Sequence, residues 1–333
     1  MANKDCKVIT FVNQKGGVGK STYSSCVAYV LAKKGYKVLA IDMDSQASLS
    51  SMCNIFPNDF KVEDEQVYGI QDVFEYALEC EDNHQPISYE AIIPAINKPT
   101  YREAIRVKDG DNFKTGWEFK EFGFDLIPSD TSLADYEQLL AKRKNGGYML
   151  YKVVQVIKEN ADYDFIIIDC PPALTTLAYS GISAATDGVI VPINLEVLAL
   201  RGTKNIVVAV AQIQKLMFEN NKIVHKGILG LLRSRYVKRY KVQQDFDEII
   251  KDFFPIPAFE TIIPSMTSCD KAHAKGWLFA QYDKKAYAVF DELCNELIAK
   301  EDALKDLKEP VIIETIGEEA ERILETVQET QYE

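Results

Sequence analysis

At 333 residues the chain is long enough for one large α/β domain or two small ones, with a sizeable core. Apolar residues make up 47%, as in ordinary globular proteins, and no continuous apolar stretch approaches the ~20 residues of a membrane span, which excludes an integral membrane helix. The formal charge of −12 would argue against a nucleic-acid partner if it were uniform. Residues 301–333, however, hold eleven acidic and three basic residues, so the acidity is largely a property of the tail.

The opening MANKDCKVIT has neither the apolar run nor the cleavage pattern of a secretory signal, so export is not expected. Seven cysteines (Cys6, Cys26, Cys53, Cys80, Cys170, Cys269, Cys294) stand singly, without a C-x-x-C pair, which predicts reduced thiols in a cytosol. His84, His225 and His273 lie far apart with no metal-ligand spacing and are assigned to surface or local hydrogen bonding. Few residues precede the first apolar run, so a DNA-reading helix-turn-helix ahead of it is not expected.

In chain order, Val8, Ile9, Phe11 and Val12 predict a strand, followed by the glycine-rich run NQKGGVGKST and a helix with Val27, Val30 and Leu31 on one face. Strand, turn and helix in that order suit a phosphate site. Gly16, Gly17 and Gly19 let the backbone turn so that successive N–H groups point into one concavity. Lys15, Gly16, Gly17, Val18, Gly19, Lys20, Ser21 and Thr22 are thus the expected nucleotide-binding residues. Lys20 supplies charge to the β- and γ-phosphates, the Ser21 hydroxyl completes the coordination of a magnesium ion, and Thr22 lies nearer the α-phosphate. The general pattern G-x-x-x-x-G-K-[ST] has Gln14 at its first position here, and a second lysine, Lys15, precedes the glycine pair.

The segment Tyr36 to Ile41 predicts a buried strand ending at IDMDSQ, where Asp42 and Asp44, two apart, share one face at its carboxyl end. Carboxyl ends of strands line the crevice of an open α/β sheet, so these acids can meet the phosphates. For Asp44 alone, or for Ser45, capping of the next helix is the competing reading. Residues 54–125 are the least legible. Gly69 to Leu78 and Ser88 to Ile96 look helical, Lys108 to Gly123 reads as polar turns around short strands, and the stretch is either a variable connection or a partner-specific surface.

Phe124 to Leu133 (FDLIPSDTSL) predicts a strand and turn, and Tyr163 to Asp169 (YDFIIID) a central parallel strand covered on both faces. Asp169 stands at the Walker B position, where a carboxylate holds magnesium through water, and Pro171 and Pro172 stiffen the exit. Further buried strands are expected at Gly188 to Ile193 and Gly227 to Leu232. The fold class is therefore α/β, a P-loop NTPase with a mainly parallel sheet flanked by helices on both faces. Arg233 to Lys241 (RSRYVKRYK) carries five positive residues and two tyrosines, either a solvated face or a contact for DNA phosphates. After residue 300, Ile312, Ile313, Ile316, Ala320, Ile323, Leu324 and Val327 recur at helical spacing in an acidic segment, so residues 301–333 are set apart from a 1–300 ATPase domain.

The run QKGGVGKST resembles the deviant Walker A motif of the ParA/MinD ATPases. IDMD with Gln46, the IPS turn, DCPP, the passage from Pro192 through Glu196 to ALRG, and TIIP are similar to further motifs of that family. The likeness covers most of residues 6–300, with a gap at 54–125. It implies an ATP- and Mg2+-dependent ATPase that closes as a homodimer, with Lys15 reaching the partner's nucleotide, Asp44 positioning the attacking water and Asp42 in the magnesium shell. It also implies Ile263 and Pro264 beside the adenine.

Within the family, ParA-type members carry DNA-contacting charges near Arg233, Arg235, Lys238, Arg239 and Lys241, bind non-specific DNA and work with a ParB-like adaptor on a cytoplasmic nucleoid. MinD-like members use a C-terminal amphipathic helix with basic residues around its apolar face, and the acidic tail here would be repelled by anionic lipid. A membrane-cycling regulator is therefore the alternative reading. A nitrogenase-reductase-like carrier would need paired cysteines where only Cys53 and Cys80 lie, and a tyrosine-kinase-like protein would end in a tyrosine cluster, where the tail has Tyr332 alone.

Overall fold

The computed structural model describes residues 5–56, 67–109, 112–253 and 255–315. Strands run β1 (Lys7–Phe11), β2 (Val38–Asp42), β3 (Thr100–Asp109), β4 (Asn112–Glu121), β5 (Asp125–Ile127), β6 (Phe165–Asp169), β7 (Gly188–Asn194) and β8 (Ile228–Ser234). The helices begin with α1 (Lys20–Lys33), α2 (Ser48–Met52), α3 (Ile70–Asp82), α4 (Leu133–Ala141), α5 (Met149–Asn160) and α6 (Thr176–Ala184). They continue with α7 (Val197–Asn221), α8 (Lys241–Phe253), α9 (Ser268–His273), α10 (Phe279–Tyr282) and α11 (Lys284–Ala303).

Six strands form one parallel sheet in the order β5-β2-β6-β1-β7-β8. Alternate residues face opposite layers. Val8, Leu39, Ile41, Ile166, Ile168 and Val191 pack with α3, α5, α6 and α7, whereas Ile9, Phe11, Ala40, Ile167 and Ile190 pack with α1 and α11. Both faces are covered, which is why the strands read as unbroken apolar runs. The chain leaves β1 through α1 toward β2 on one side, and β6 through α6 to β7 on the other. The crevice at this reversal opens at the carboxyl ends of β1, β2 and β6.

Three segments differ from the sequence expectation. Ser88 to Ile96 is not a helix but a series of turns with one 3-10 turn at Ile93–Ala95, because Pro94 lacks the N–H that a continuing helix requires. Instead of short strands and turns, Lys108 to Gly123 belongs to one long antiparallel hairpin, β3 with β4, paired from Thr100↔Glu121 to Asp109↔Asn112. In the tail, residues 311–315 are not helical: Gln214 Nε2 on α7 donates to the Val311 carbonyl at 3.1 Å, and Ile313 packs on the core. The remainder of the helix expected there lies outside the described residues.

All seven cysteines are free thiols, and His225 is buried with both ring nitrogens in local hydrogen bonds, to the Ile182 carbonyl and the Gly227 N–H.

Candidate nucleotide site

The loop from Gln14 to Gly19 leads from the carboxyl end of β1 into α1. Gly17 (φ 74°) and Gly19 (φ 96°) sit in left-handed backbone that other residues rarely adopt, and a Cβ on Gly19 would also stand 2.4 Å from the Tyr23 ring. Gly19 caps α1 without a side-chain hydrogen bond, and the first turn holds no acid. The helix therefore presents its free N–H groups and the positive end of its dipole to the crevice, a ready anion site. Asn13 fixes the approach, its Nδ2 donating to the Pro192 carbonyl at 2.5 Å and its Oδ1 accepting from the Lys15 N–H at 2.9 Å. Lys15 Nζ lies 2.5 Å from Glu196 Oε2 of the same chain, both side chains partly exposed. Such a pair is worth about 0–1 kcal/mol, so Lys15 can exchange partners at little cost.

Register aligns the acids. In the parallel ladder Asp42 pairs with Asp169 and Phe11 pairs with Asp169, so the Walker B carboxylate sits between the P-loop strand and the Asp42 strand. Asp42 is fully buried, its Oδ2 accepting from the Ser50 N–H (2.9 Å) and hydroxyl (2.8 Å), its Oδ1 from the Asp44 N–H (3.1 Å). Burial pushes its carboxyl up to about 6 against those hydrogen bonds, and Asp44 adds repulsion. Asp169 is also fully buried, and neither of its oxygens has a hydrogen-bond partner among the described residues. Burial raises it well above the usual carboxylate range, and Asp42 adds to the rise. The Ser21 hydroxyl, nearby but outside hydrogen-bond geometry, and Lys20 act the other way. Lys20 is buried, and that desolvation lowers its ammonium pKa while Asp169 and Asp44 hold it up.

Two orphaned carboxylate oxygens beside a hydroxyl and near a second carboxylate form a hard-oxygen donor set, and they fit a magnesium ion. Asp44 is nearly buried, and its Oδ1 accepts from the Gln46 N–H at 3.0 Å in a local turn. It does not cap α2, which starts behind Ala47 with no side-chain cap.

Beside the P-loop lies a cavity of about 260 Å³ lined by Gly19, Thr22, Tyr23, Ile263 and Pro264. The last two arrive through a return of the chain past β8: the Ile263 N–H donates to the Arg233 carbonyl (2.9 Å), and the Tyr236 N–H to the Ile263 carbonyl (3.0 Å). The structure thus brings residues 15–22, Asp42, Asp44, Asp169, Ile263 and Pro264 to one crevice.

A family model described as an AAA domain matches residues 6–224. Over 296 residues the chain is 27% identical to the sporulation initiation inhibitor protein Soj of Bacillus subtilis, covering 88% of this chain and 98% of that one. It is 25% identical over 303 residues to the chromosome partitioning protein ParA of Caulobacter vibrioides, covering 90% and 97%. The chain belongs to the AAA-domain family and is of the ParA/Soj type. Its fold is also that of cobyrinic acid a,c-diamide synthase from Mycobacterium smegmatis, solved with an ATP analog and magnesium, at a TM-score of 0.63 and 24% identity over 92% of this chain and all (100%) of that one.

In this ParA/Soj-type ATPase the basic run Arg233 to Lys241 divides. Arg233, expected at DNA, is buried at 1% exposure: its guanidinium pairs with Asp247 and donates to the Phe259 and Glu260 carbonyls. It sits at the end of β8, where side chains alternate into the core, and serves to tie α8 and the return segment to the sheet. Arg235, in left-handed backbone (φ 52°), lines the cavity beside Gly19 and Thr22. Lys238, Arg239 and Lys241 are exposed, with the Arg239 guanidinium over the Tyr240 ring at 5.4 Å, while Tyr236 packs against the core. Sequence reasoning missed Ser50 and Ser129, which lock the acidic turn: the Ser129 hydroxyl donates to the Asp44 carbonyl, and its N–H to the Ser50 hydroxyl (2.9 Å). No local pattern marks Ser50, and Ser129, although it closes the IPS turn, shows nothing along the chain of its reach to Asp44. Asn13 and Glu196 were within reach, since both lie inside stretches already singled out.

Among the described residues no helix is long and apolar enough to cross a membrane.

Proposed function

We propose that this ParA/MinD-family ATPase is a DNA-partition ATPase. ATP binding closes two copies face to face, the closed dimer holds non-specific duplex DNA on a cytoplasmic nucleoid, and hydrolysis stimulated by a ParB-like adaptor reopens it. The observation that carries this reading is the meeting of Lys20, Ser21, Asp42, Asp44 and Asp169 in one crevice, with Lys15 at its rim in a weak ion pair. Similarity to proteins named for chromosome partitioning supports the choice of DNA.

The residues divide the work. The free N–H groups of the P-loop and α1 hold the phosphates, and Lys20 neutralises them. Ser21, Asp169 and Asp42 would hold magnesium, which when bound supplies charge neutralisation at the β- and γ-phosphates. Asp44 orients the attacking water from the buried rim of the same turn. Lys15 leaves Glu196 for the partner copy's nucleotide, where developing charge on the phosphoryl oxygens holds it more strongly than a surface carboxylate does.

Binding of duplex DNA with ATP, with ADP and without nucleotide, over a salt series, tests the reading in wild type and a Lys238→Glu/Arg239→Glu variant. ATP-dependent, salt-sensitive binding that the variant loses is expected. Absence of binding in every nucleotide state would overturn it.

A further inference from the structure

The hairpin β3–β4 is two-faced. Strand alternation places Arg102, Ala104, Arg106 and Lys108 of β3 on one face together with Thr115, Trp117 and Phe119 of β4. The opposite face carries Glu103 and Glu118, bridged by Lys120, which pairs with Glu103 and lies 3.6 Å from Glu118. On the first face Phe119 is 69% exposed and Trp117 57%, the two most exposed aromatic side chains among the described residues. Apolar rings this open on an acidic chain are a cost unless something covers them.

The face continues into the body of the protein. Trp277, between α9 and α10, donates from Nε1 to the Arg102 carbonyl at 3.0 Å and stacks edge-on against Tyr101. Together Arg102, Ala104, Trp117, Phe119, Lys275 and Trp277 line a cavity of about 620 Å³, and none of its described lining residues is acidic. The Arg102 guanidinium lies 4.5 Å over the Trp117 ring, and the small Ala104 opposite Trp117 leaves the cleft open. The site is thus a row of cations on one strand and a row of rings on the next, ~4.8 Å apart, with successive rings ~7 Å apart along β4.

We infer that this face binds single-stranded DNA, the rings of Trp117 and Phe119 stacking on unpaired bases while Arg102, Arg106, Lys108 and Lys275 follow the phosphates. A polymer with an anionic backbone on one side and flat aromatic groups on the other matches two segregated rows. An acidic peptide, whose side groups alternate along one chain, matches them less well. Duplex DNA keeps its base faces stacked inward and offers the rings nothing. Base–aromatic stacking with a cationic track is the general solution for sequence-tolerant binding of single strands. The inference rests on the partition reading only for the choice of DNA over RNA.

Trp117 and Trp277 are the only two tryptophans of the chain, and both line the cleft, so intrinsic fluorescence reads the site directly. Titration of the full chain with oligothymidylate, without nucleotide, should quench that emission, with an affinity that falls as salt rises. The Trp117→Ala/Phe119→Ala variant, followed by anisotropy of labelled oligothymidylate, should bind about tenfold or more weakly. Its ATP hydrolysis should stay at the wild-type rate, which reports an intact fold. An unquenched wild type, a duplex or oligouridylate that binds as tightly, or equal quenching by polyglutamate would overturn the inference. Loss of ATP-dependent duplex binding with intact quenching would instead remove the partition reading and leave the cleft in place.

Discussion

The two ends of the parallel sheet handle buried acid in opposite ways. At the carboxyl ends of β2 and β6, Asp42 and Asp169 lie side by side, fully buried, with Asp44 next to them and Lys20 the cation facing them. Burial pushes both buried carboxyls toward the neutral form, with repulsion from Asp44 added at Asp42 and from Asp42 at Asp169. At the amino ends, Glu301 from α11 is just as buried, but it meets Lys7 (3.1 Å) and Lys226, and Lys226 also meets Asp187 at 3.3 Å. Asp187 in turn accepts from the Val8 N–H at 3.0 Å, with Lys158 at 3.8 Å. Paired buried ions hold elements together, whereas three crowded acids facing Lys20 destabilise the empty protein and fit a site that a cation and phosphates complete.

If that contrast is right, substitutions at the two ends should separate activity from stability. The largest expected effect is on Lys15→Ala, with hydrolysis falling about 10³-fold or more while nucleotide binding, followed with a fluorescent ATP analogue, is kept. Near-normal turnover would show that the lysine remains with Glu196 throughout the cycle. At the other end, Glu301→Gln leaves the partly buried Lys7 and the largely covered Lys226 side chain with less compensation and should lower unfolding stability by about 2–3 kcal/mol in urea, with turnover per folded molecule unchanged. Asp44→Ala should cut hydrolysis about 10²-fold and accumulate the ATP-bound dimer on gel filtration, and normal turnover would remove its assignment to the water.

A smaller effect sharpens the comparison through pH. The Asp42 carboxyl titrates near 6 when folded, above its unfolded value, so the folded state binds the proton more tightly. The penalty is present above pH ~6 and is relieved as pH falls toward ~4. Asp42→Asn should therefore gain about 1–3 kcal/mol relative to wild type between pH 4 and pH 8 in the magnesium-free protein, on top of a pH-independent loss because its amide NH2 must face one of the donors that the two carboxylate oxygens accept. His225, buried on the approach to β8, is shifted the other way: burial lowers its pKa, so its contribution is lost as pH falls below the unfolded value of about 6.5. Replacing His225 by Gln should flatten the acid side of the stability profile, whereas Asp42→Asn should flatten the neutral side; thermal melts across pH distinguish them.

Much of this was legible along the chain. The strands of the sheet announce themselves because both faces are covered, and the P-loop, IDMD and DCPP motifs mark three carboxyl ends that the sheet order then places side by side. Ser88 to Ile96 misled because its apolar spacing outweighed Pro94. The hairpin misled because it has one aromatic and basic face and one charged face, so neither strand shows the apolar alternation of a half-buried one. Arg233 looked like part of a basic run, but strand parity turns it into the core, where Asp247 and two carbonyls receive it.

From its residues alone the chain determined a phosphate loop, the acids that accompany it and a parallel α/β frame, because glycine conformation, apolar runs and terminal carboxylates are local properties. Only the tertiary structure decided which charges are buried, which are paired and which face water. It set Asp169 beside Asp42 with no hydrogen-bond partner among the described residues, gave Glu301 its lysines, withdrew Arg233 from the surface and gathered Arg102, Trp117 and Trp277 at one cleft. Each of those outcomes depends on strand register and on contacts between residues distant in sequence, and it is there that desolvation and pairing fix what a charged side chain can do.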